Sequence, residues 1–478
     1  MNTSPYTAEW GVLESPEEVL TTLTREGKRK WIYPAPSKGH YYRRRLVTAW
    51  TLMVVFFLLP IVKIGGRPAI LLDLMTRRFT FFGVTFYPTD TFLLLLLMVG
   101  VLLSVVLFTA LLGRVWCGWA CPQTVYLEFL YRPIEVWIEG PEHRRKRRDE
   151  GSLTLDKAWR KTAKYSVYAA FSLVLAHTFV AYFVGWDRLL VWLSGSPFSH
   201  WGYFVLMAIT TSLVLYNFGS FREQMCTIAC PYARLQSVLL DPDSLIVSYD
   251  PNRGEPRAKR SKKKISEEAL GLAPALGDCI DCFACVRTCP VGIDIRDGLQ
   301  MECIACTQCI DACDAIMDGI EKPRGLIGYT SEQALAGIPT RRLRTRTVLY
   351  GTLFVVVAGI FTIALATRSE FDVHVVRAVG EPYTVLPDGR IANRLRLSVR
   401  NQTPEATTFV IEGEQGVEIK IIGVAPIALD SQEISHVEAW VVLPAERLAS
   451  GRADGRFLLR FEDGQTYEVE FPLLGPSP

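Results

Sequence analysis

The chain has 478 residues, 49% of them hydrophobic, with a formal net charge of +3 and a mean hydropathy of +0.19. That composition is too apolar for an ordinary soluble enzyme and fits several membrane spans joined to soluble parts. The total charge says little. The basic residues stand in runs beside apolar segments, which favours membrane orientation over a solvated face or a nucleic-acid patch.

In chain order, residues 1–45 read as a cytoplasmic N-terminal segment, polar and acidic. No apolar core appears before about residue 46, so it is no signal peptide. About five runs are then long enough to cross a bilayer, which needs roughly 20 apolar residues. They cover 46–66, 91–113, 165–185, 201–218 and 347–366, and Thr210, Thr211 and Ser212 interrupt the fourth. The first four define a transmembrane domain over 46–240, and 347–367 is the fifth span. Arg43, Arg44 and Arg45 precede the first run, and His143-Arg-Arg-Lys-Arg-Arg148 follows the second. Arg257 to Lys264 follow the fourth, and Arg341 to Arg346 precede the fifth. The positive-inside rule puts these clusters in the cytoplasm, against Arg67, Arg77 and Arg78 in the first outer loop. The N-terminus is then inside and the C-terminus outside.

Cys117-Gly-Trp-Ala-Cys121-Pro122 follows the second run and Cys226-Thr-Ile-Ala-Cys230-Pro231 the fourth, so two C-x3-C-P motifs face the cytoplasmic boundary. Two geometries are open. On one helix, residues four apart share a face with Cβ atoms about 6 Å apart, so two sulfurs can pinch one soft ion. Alternatively each proline takes the first helical position and makes Cys121 and Cys230 N-caps, where the helix N-terminus lowers a thiol pKa. Thiolate sites favour Cu(I), zinc and iron–sulfur clusters. The plain alternative is small apolar residues buried in a bundle. Trp116 and Trp119 read as interfacial anchors. His177, inside the third run, reads as a ligand, a quinone contact or a neutral interhelical hydrogen bond. A b-type haem would need paired intramembrane histidines, and the runs offer only one.

Residues 241–346 form the next cytoplasmic segment, and its core lies at about 270–320. Cys279-Ile-Asp-Cys282-Phe-Ala-Cys285-Val-Arg-Thr-Cys289-Pro290 reads C-x2-C-x2-C-x3-C-P, and the spacing returns at Cys303, Cys306, Cys309 and Cys313. This is the ligand run of a bacterial ferredoxin holding two [4Fe–4S] clusters. Three closely spaced thiolates wrap one corner of a cubane, and the fourth lies too far along and crosses over. Cys279, Cys282, Cys285 and Cys313 are expected on one cluster, and Cys303, Cys306, Cys309 and Cys289 on the other. A four-cysteine zinc site would repeat a C-x2-C pair rather than a quartet. The cytoplasmic side is also the reducing side, where thiolates stay available for iron.

From Phe371 the pattern changes to period two: Phe371-Asp-Val-His-Val-Val376, Arg394-Leu-Arg-Leu-Ser-Val399, Val417-Glu-Ile-Lys-Ile-Ile422, His436-Val-Glu-Ala-Trp-Val-Val442, Phe457-Leu-Leu-Arg-Phe461 and Tyr467-Glu-Val-Glu-Phe471. About seven strands over 370–478 fit an immunoglobulin-like sandwich, which must fold without disulfides because it holds no cysteine. His374 and His436 read as strand residues. No GxGxxG follows a strand, so a flavin or nicotinamide is not supported and the electron donor is unknown. The fold class is a multi-domain membrane protein: an α-helical bundle, a 2[4Fe–4S] ferredoxin segment and an all-β sandwich.

At these residues the chain resembles the cytochrome c oxidase accessory protein family (FixG/RdxA/CcoG type), a membrane-bound polyferredoxin. The resemblance rests on both C-x3-C-P motifs, the two-cluster segment and the outer sandwich, with Trp31-Ile-Tyr-Pro34 and Tyr131-Arg-Pro-Ile-Glu-Val-Trp137 in support. It covers about residue 30 to the end. The C-x3-C-P pairs alone are shared with membrane ferredoxins of nitrate and nitrous-oxide respiration. One departure is Asp314, which stands where proline would follow the eighth cluster cysteine, and the gap between the cysteine runs is short. The resemblance implies a bacterial inner-membrane oxidoreductase that reduces Cu(II) to Cu(I) for assembly of a cbb3-type oxidase. It implies copper-handling and oxidase-assembly partners, and no nucleic acid. Copper is then the substrate ion, with Cys117, Cys121, Cys226 and Cys230 as the metal-handling end. The other reading is an electron-transfer subunit or assembly scaffold of another respiratory complex, of the nitrate or nitrous-oxide type.

Overall fold

The structure, a computed structural model, describes residues 21–23, 28–259, 276–340, 344–403, 406–414, 417–422, 425–430, 433–448, 450–462 and 464–476. The acidic start of the N-terminal segment, Lys262 to Lys264 and Arg341 lie outside the described residues. The chain divides into two units, one of residues 1–63 and 68–361, the other of 64–67 and 362–478.

In the first unit, four helical stretches among the described residues are long and apolar enough to cross a membrane: Thr91–Leu112 (α2), Leu155–Val184 (α7), Pro197–Phe221, which contains α9 (Trp201–Tyr216), and Thr345–Ala366 (α13). α2 ends where Gly113 turns to φ +59°. Two of the three hydroxyls that interrupt the fourth run are absorbed by the helix itself: Thr210 donates to the Leu206 carbonyl and Ser212 to that of Ala208, while Thr211 Oγ1 is buried without a partner. The first expected span is built differently. Its helix, α1, runs His40–Leu58, beginning within the basic residues and stopping short of Gly66. Only 46–58 of it is apolar, roughly 20 Å of helix. Its exposed face carries Val47, Trp50, Val54 and Leu58, a surface suited to lipid. A three-stranded antiparallel sheet of Ile70–Asp73 (β1), Arg78–Phe81 (β2) and Val84–Phe86 (β3) leads into α2.

Short helices follow each of the spans that carry a cysteine motif. After α2 come Val115–Trp119 (α3) and Pro122–Tyr126 (α4), a π-helical turn, Arg132–Glu139 (α5) and Glu142–Glu150 (α6). Beyond α7 lie Trp186–Ser194 (α8) and α9, and after α9 two π-helical turns lead to Pro231–Leu239 (α10). The cysteine-rich segment hangs on Ala284–Thr288 (α11) and Gln308–Gly319 (α12), flanked by the antiparallel pair Ile246–Tyr249 (β4) and Ile327–Thr330 (β5). Its two halves repeat the same backbone. Asp281 and Phe283 in the first run, and Ala305 and Thr307 in the second, all take the left-handed conformation. Such turns curl successive N–H groups round a concavity that suits an anion.

The second unit contains nine strands among the described residues, more than the seven expected. They are Phe371–Arg377 (β6), Thr384–Val385 (β7), Ile391–Asn401 (β8), Thr407–Gly413 (β9), Glu418–Ile422 (β10), Ile427–Leu429 (β11), Ile434–Leu443 (β12), Arg452–Phe461 (β13) and Thr466–Leu474 (β14). One antiparallel sheet is ordered β10-β12-β8-β6, with β7 beside β8, and the other β11-β9-β13-β14. Alternate residues such as Leu395, Leu397 and Val399 of β8 meet Phe409, Leu459 and Phe461 of the facing sheet in one core. Asn393, fully buried, clips the sheets together: its Nδ2 donates to the Leu474 carbonyl and its Oδ1 accepts from the Leu474 N–H. His374 and His436 are strand residues, the latter hydrogen-bonded to Ser398.

Candidate metal centre

The two cysteine runs line two cavities. The first is walled by Cys279, Cys282, Cys285 and Cys313, with Phe283, Met317 and Ile327. The second is walled by Cys289, Cys303, Cys306 and Cys309, with Val291, Ile293 and Ile304, and Cys285 also reaches it. Each cavity thus takes three cysteines from one run, joined by Cys313 in the first and by Cys289 and Cys285 in the second. Among the described residues no three His, Cys, Asp or Glu side chains close on one point, the C-x3-C-P thiols included. Sulfurs spread round a cavity suit a cubane, which offers four corners.

Buried charge supports that fit. Arg45 is wholly buried, its Nε donates to the Gly118 carbonyl at 3.0 Å, and both its Nη atoms lack a partner. It lies close enough to Cys306 to pull that thiol's pKa down against the larger upward push of burial. Arg114 acts the same way on Cys303, where burial prevails and pushes the thiol up to about 11. A buried cation without a counter-charge is costly. Two guanidinium groups beside the second cysteine set therefore match an anionic cluster held there. Both were missed in the sequence: Arg45 reads as a member of a basic run, and nothing in the spacing singles out Arg114.

The C-x3-C-P motifs adopt the second of the two geometries. Cys121 and Cys230 are N-caps in extended conformation (ψ 126° and 110°), each followed by its proline at the head of α4 and α10. Cys117 lies in α3 and Cys226 in a π-helical turn, so each pair straddles a helix break. The four thiols share one neighbourhood: Cys117 interacts with Cys121 and Cys230, and Cys226 with all three. The two motifs are also tied directly, since Gln123 Nε2 donates to the Arg222 carbonyl at 2.9 Å. At Cys121 the expected lowering of the thiol pKa is not found. Burial pushes Cys117 up to about 11 and Cys226 to about 12, and it raises Cys121 against the N–H groups of Gln123 and Thr124. Burial outweighs a helix end because it removes water from the whole thiolate.

The thiol site abuts the second cavity. A Cβ on Gly118 would sit 2.6 Å from the Ile304 oxygen and 2.7 Å from the Cys306 Cα, so only glycine lets these loops touch. Cys117 Sγ donates to Gln236 Oε1 at 3.0 Å. Trp119 Nε1 donates to the Tyr329 hydroxyl at 3.0 Å. Asp311 of α12 accepts from Tyr41 N–H and Tyr42 N–H, at 3.0 and 2.7 Å, capping α1. Behind these contacts lies a buried ion network. Glu135 accepts from Arg222 at 2.6 Å and Arg145 at 2.8 Å, and Arg132 Nη2 donates to the Pro290 carbonyl at 3.1 Å. Burial pushes the Glu135 carboxyl up, but Arg222, Lys164 and Arg145 outweigh it and hold the carboxyl well below the usual range. Arg145 belongs to the basic run 143–148, so that run serves packing as well as orientation. His177 makes no bond to another helix; its Nδ1 meets the Leu173 carbonyl of its own helix at 2.7 Å.

Membrane-crossing helices, ferredoxin-like cysteine cavities and a sandwich together define a membrane-bound iron–sulfur electron-transfer protein. The family described as a 4Fe-4S dicluster domain matches residues 221–332, a 4Fe-4S binding domain matches 92–146, and the IG-like fold at the C-terminal of FixG matches 361–476. The nitrogen fixation protein FixG of Rhizobium meliloti is 32% identical, over 92% of this chain and 91% of its own. Protein RdxA of Cereibacter sphaeroides is 39% identical over 82% of this chain and 85% of its own, and RdxB of the same organism 35% over 92% and 91%. The chain belongs to the FixG/RdxA family.

Proposed function

We propose that this protein is a cupric reductase of the inner membrane, supplying Cu(I) for assembly of a cbb3-type cytochrome c oxidase. Cys279, Cys282, Cys285 and Cys313 hold one [4Fe–4S] cluster, and Cys289, Cys303, Cys306 and Cys309 the other. When bound, these clusters supply one-electron storage and transfer. The chain's own residues do the rest. Cys117, Cys121, Cys226 and Cys230 gather Cu(II) at the membrane end, and their soft sulfurs favour the Cu(I) formed when it gains one electron. Arg114, between Cys117 and Cys303, offsets the negative charge of the thiolates that copper binding requires. The N-terminus and the cluster segment (241–346) lie in the cytoplasm, and the sandwich (370–478) lies in the periplasm, in line with the basic runs.

The observation that carries this reading is the convergence of four further thiols against the wall of the second cysteine cavity. Reduced protein is mixed with Cu(II) and a chromogenic Cu(I) chelator. Wild type should give Cu(I), and the variant with serine at all four C-x3-C-P cysteines should give almost none while keeping its iron. Full activity in that variant would return these thiols to packing. Loss of iron would make them cluster ligands and favour the reading as an electron-transfer subunit of another respiratory complex.

A further inference from the structure

Copper reduction consumes electrons, and no dinucleotide fingerprint offers a way in for a soluble carrier. A third cavity, of about 220 Å³, adjoins the second cysteine set. Its walls are Leu240, Leu245, Ile246 and Val247 on one side and Leu299, Met301 and Cys303 on the other, with Arg114 between. A mostly apolar lining with a few polar groups is the make-up of small-molecule sites.

Its position is at the membrane. Arg114 follows α2 by two residues, and Gly113 at the helix end packs against the Leu245 carbonyl and Leu240. Arg344, one residue before α13, donates to the Ala110 carbonyl, so the ends of two spanning helices meet beside the cavity. The mouth is apolar as well: Leu299 is 40% and Met301 57% exposed. Two polar side chains, Gln300 and Arg114, break the apolar wall. Arg114 is 5% exposed, its Nη1 donates to the Met301 carbonyl, and its Nε is buried without a partner.

We propose that this cavity binds the head group of a membrane quinol, the reductant for copper. An apolar ring with a tail enters from the lipid beside α2, its oxygen faces the Arg114 and Gln300 side chains, and the ring rests against the wall that contains Cys303. One quinol oxidised to quinone yields two electrons, which convert two Cu(II) to two Cu(I), and two protons, which leave to solvent at the mouth. The identity of the electron acceptor rests on the proposed copper reduction; the binding site does not.

The test uses full-length, iron-loaded protein in phospholipid nanodiscs with decylubiquinone as the probe. Binding is measured by titration and the site mapped with an azido-quinone, in the absence of copper. Crosslinks should fall within 240–247 or 299–303, and Leu299→Trp and Leu245→Trp should each weaken binding at least tenfold. Leu299 lies at the mouth, so its variant should fold, and unchanged iron content and dithionite-reduced EPR signal check this. Decylubiquinol should also generate that EPR signal anaerobically in wild type and not in the Trp variants. Unchanged affinity in both variants, crosslinks elsewhere, or binding abolished by phospholipid (a lipid acyl site) would overturn the proposal. Quinol binding with no EPR signal would overturn its role as reductant, whatever the fate of the copper reading.

Discussion

The sandwich and the cysteine-rich segment solve the same problem, a stable fold at modest size, with different materials. The sandwich holds itself with apolar side chains: Phe371 stacks on Phe461 at 3.7 Å, and the strand register sends alternate residues inward. The cysteine-rich segment has a core in which cysteines replace many of those side chains, and its helix α11 has five residues. Helices so short have no stability of their own. The two left-handed turns in each run are also strained for residues other than glycine. The comparison teaches that one unit should be indifferent to iron and the other should depend on it.

Iron removal should therefore have the largest effect. Anaerobic chelation should open 276–330 to protease and release its contacts with α1 and α3, since structural metal sites contribute on the order of 10 kcal/mol to folding. The C-terminal unit should melt at an unchanged temperature. Limited proteolysis read by mass spectrometry, beside calorimetry, checks both halves. Conversely, Phe457→Ala in the sandwich core should cost about 4 kcal/mol of that unit's stability. Iron content should not change, and a loss of iron would break the separation of the two units.

A smaller effect is expected at the interface of helices and cysteine segment. Glu135→Gln leaves Arg222 and Arg145 short of a buried counter-charge and should cost about 3 kcal/mol in denaturant unfolding of the first unit. The sign with pH follows from its depressed folded pKa. The stabilisation is fully present above the ordinary glutamate range and is lost as pH falls toward the folded value. Wild type should lose stability over that acidic window more steeply than Glu135→Gln, and parallel curves would show that Glu135 is not the titrating group. Least of all, His177→Leu should change stability by under about 1 kcal/mol and leave iron untouched, because its one bond is to its own helix.

Much of this was legible from residue spacing. The run 91–113 became Thr91–Leu112 because nothing in it competes with a helix, and Gly113 ends it. The reach of one thiolate groups Cys313 with the first run and Cys289 with the second, and they line the first and second cavity respectively. The strand Thr407–Gly413 was hidden because Thr407 and Thr408 blur the alternation that Phe409 and Ile411 carry. The ion network was also hidden. Glu135 pairs with Arg222, 87 residues along the chain, and charge runs carry no sign that they will be buried. For Cys121 the motif revealed the N-cap but not the burial that reverses its effect on the thiol.

The most direct test of the account is the metal content of anaerobically purified wild type, Cys289→Ser and Cys313→Ser, with EPR of each. The account predicts about eight irons and eight acid-labile sulfides in wild type. Cys313→Ser should damage the cluster walled by Cys279, Cys282 and Cys285, and Cys289→Ser the one walled by Cys303, Cys306 and Cys309. Zinc in place of iron, or damage in each variant confined to the cluster of its own run, would contradict it.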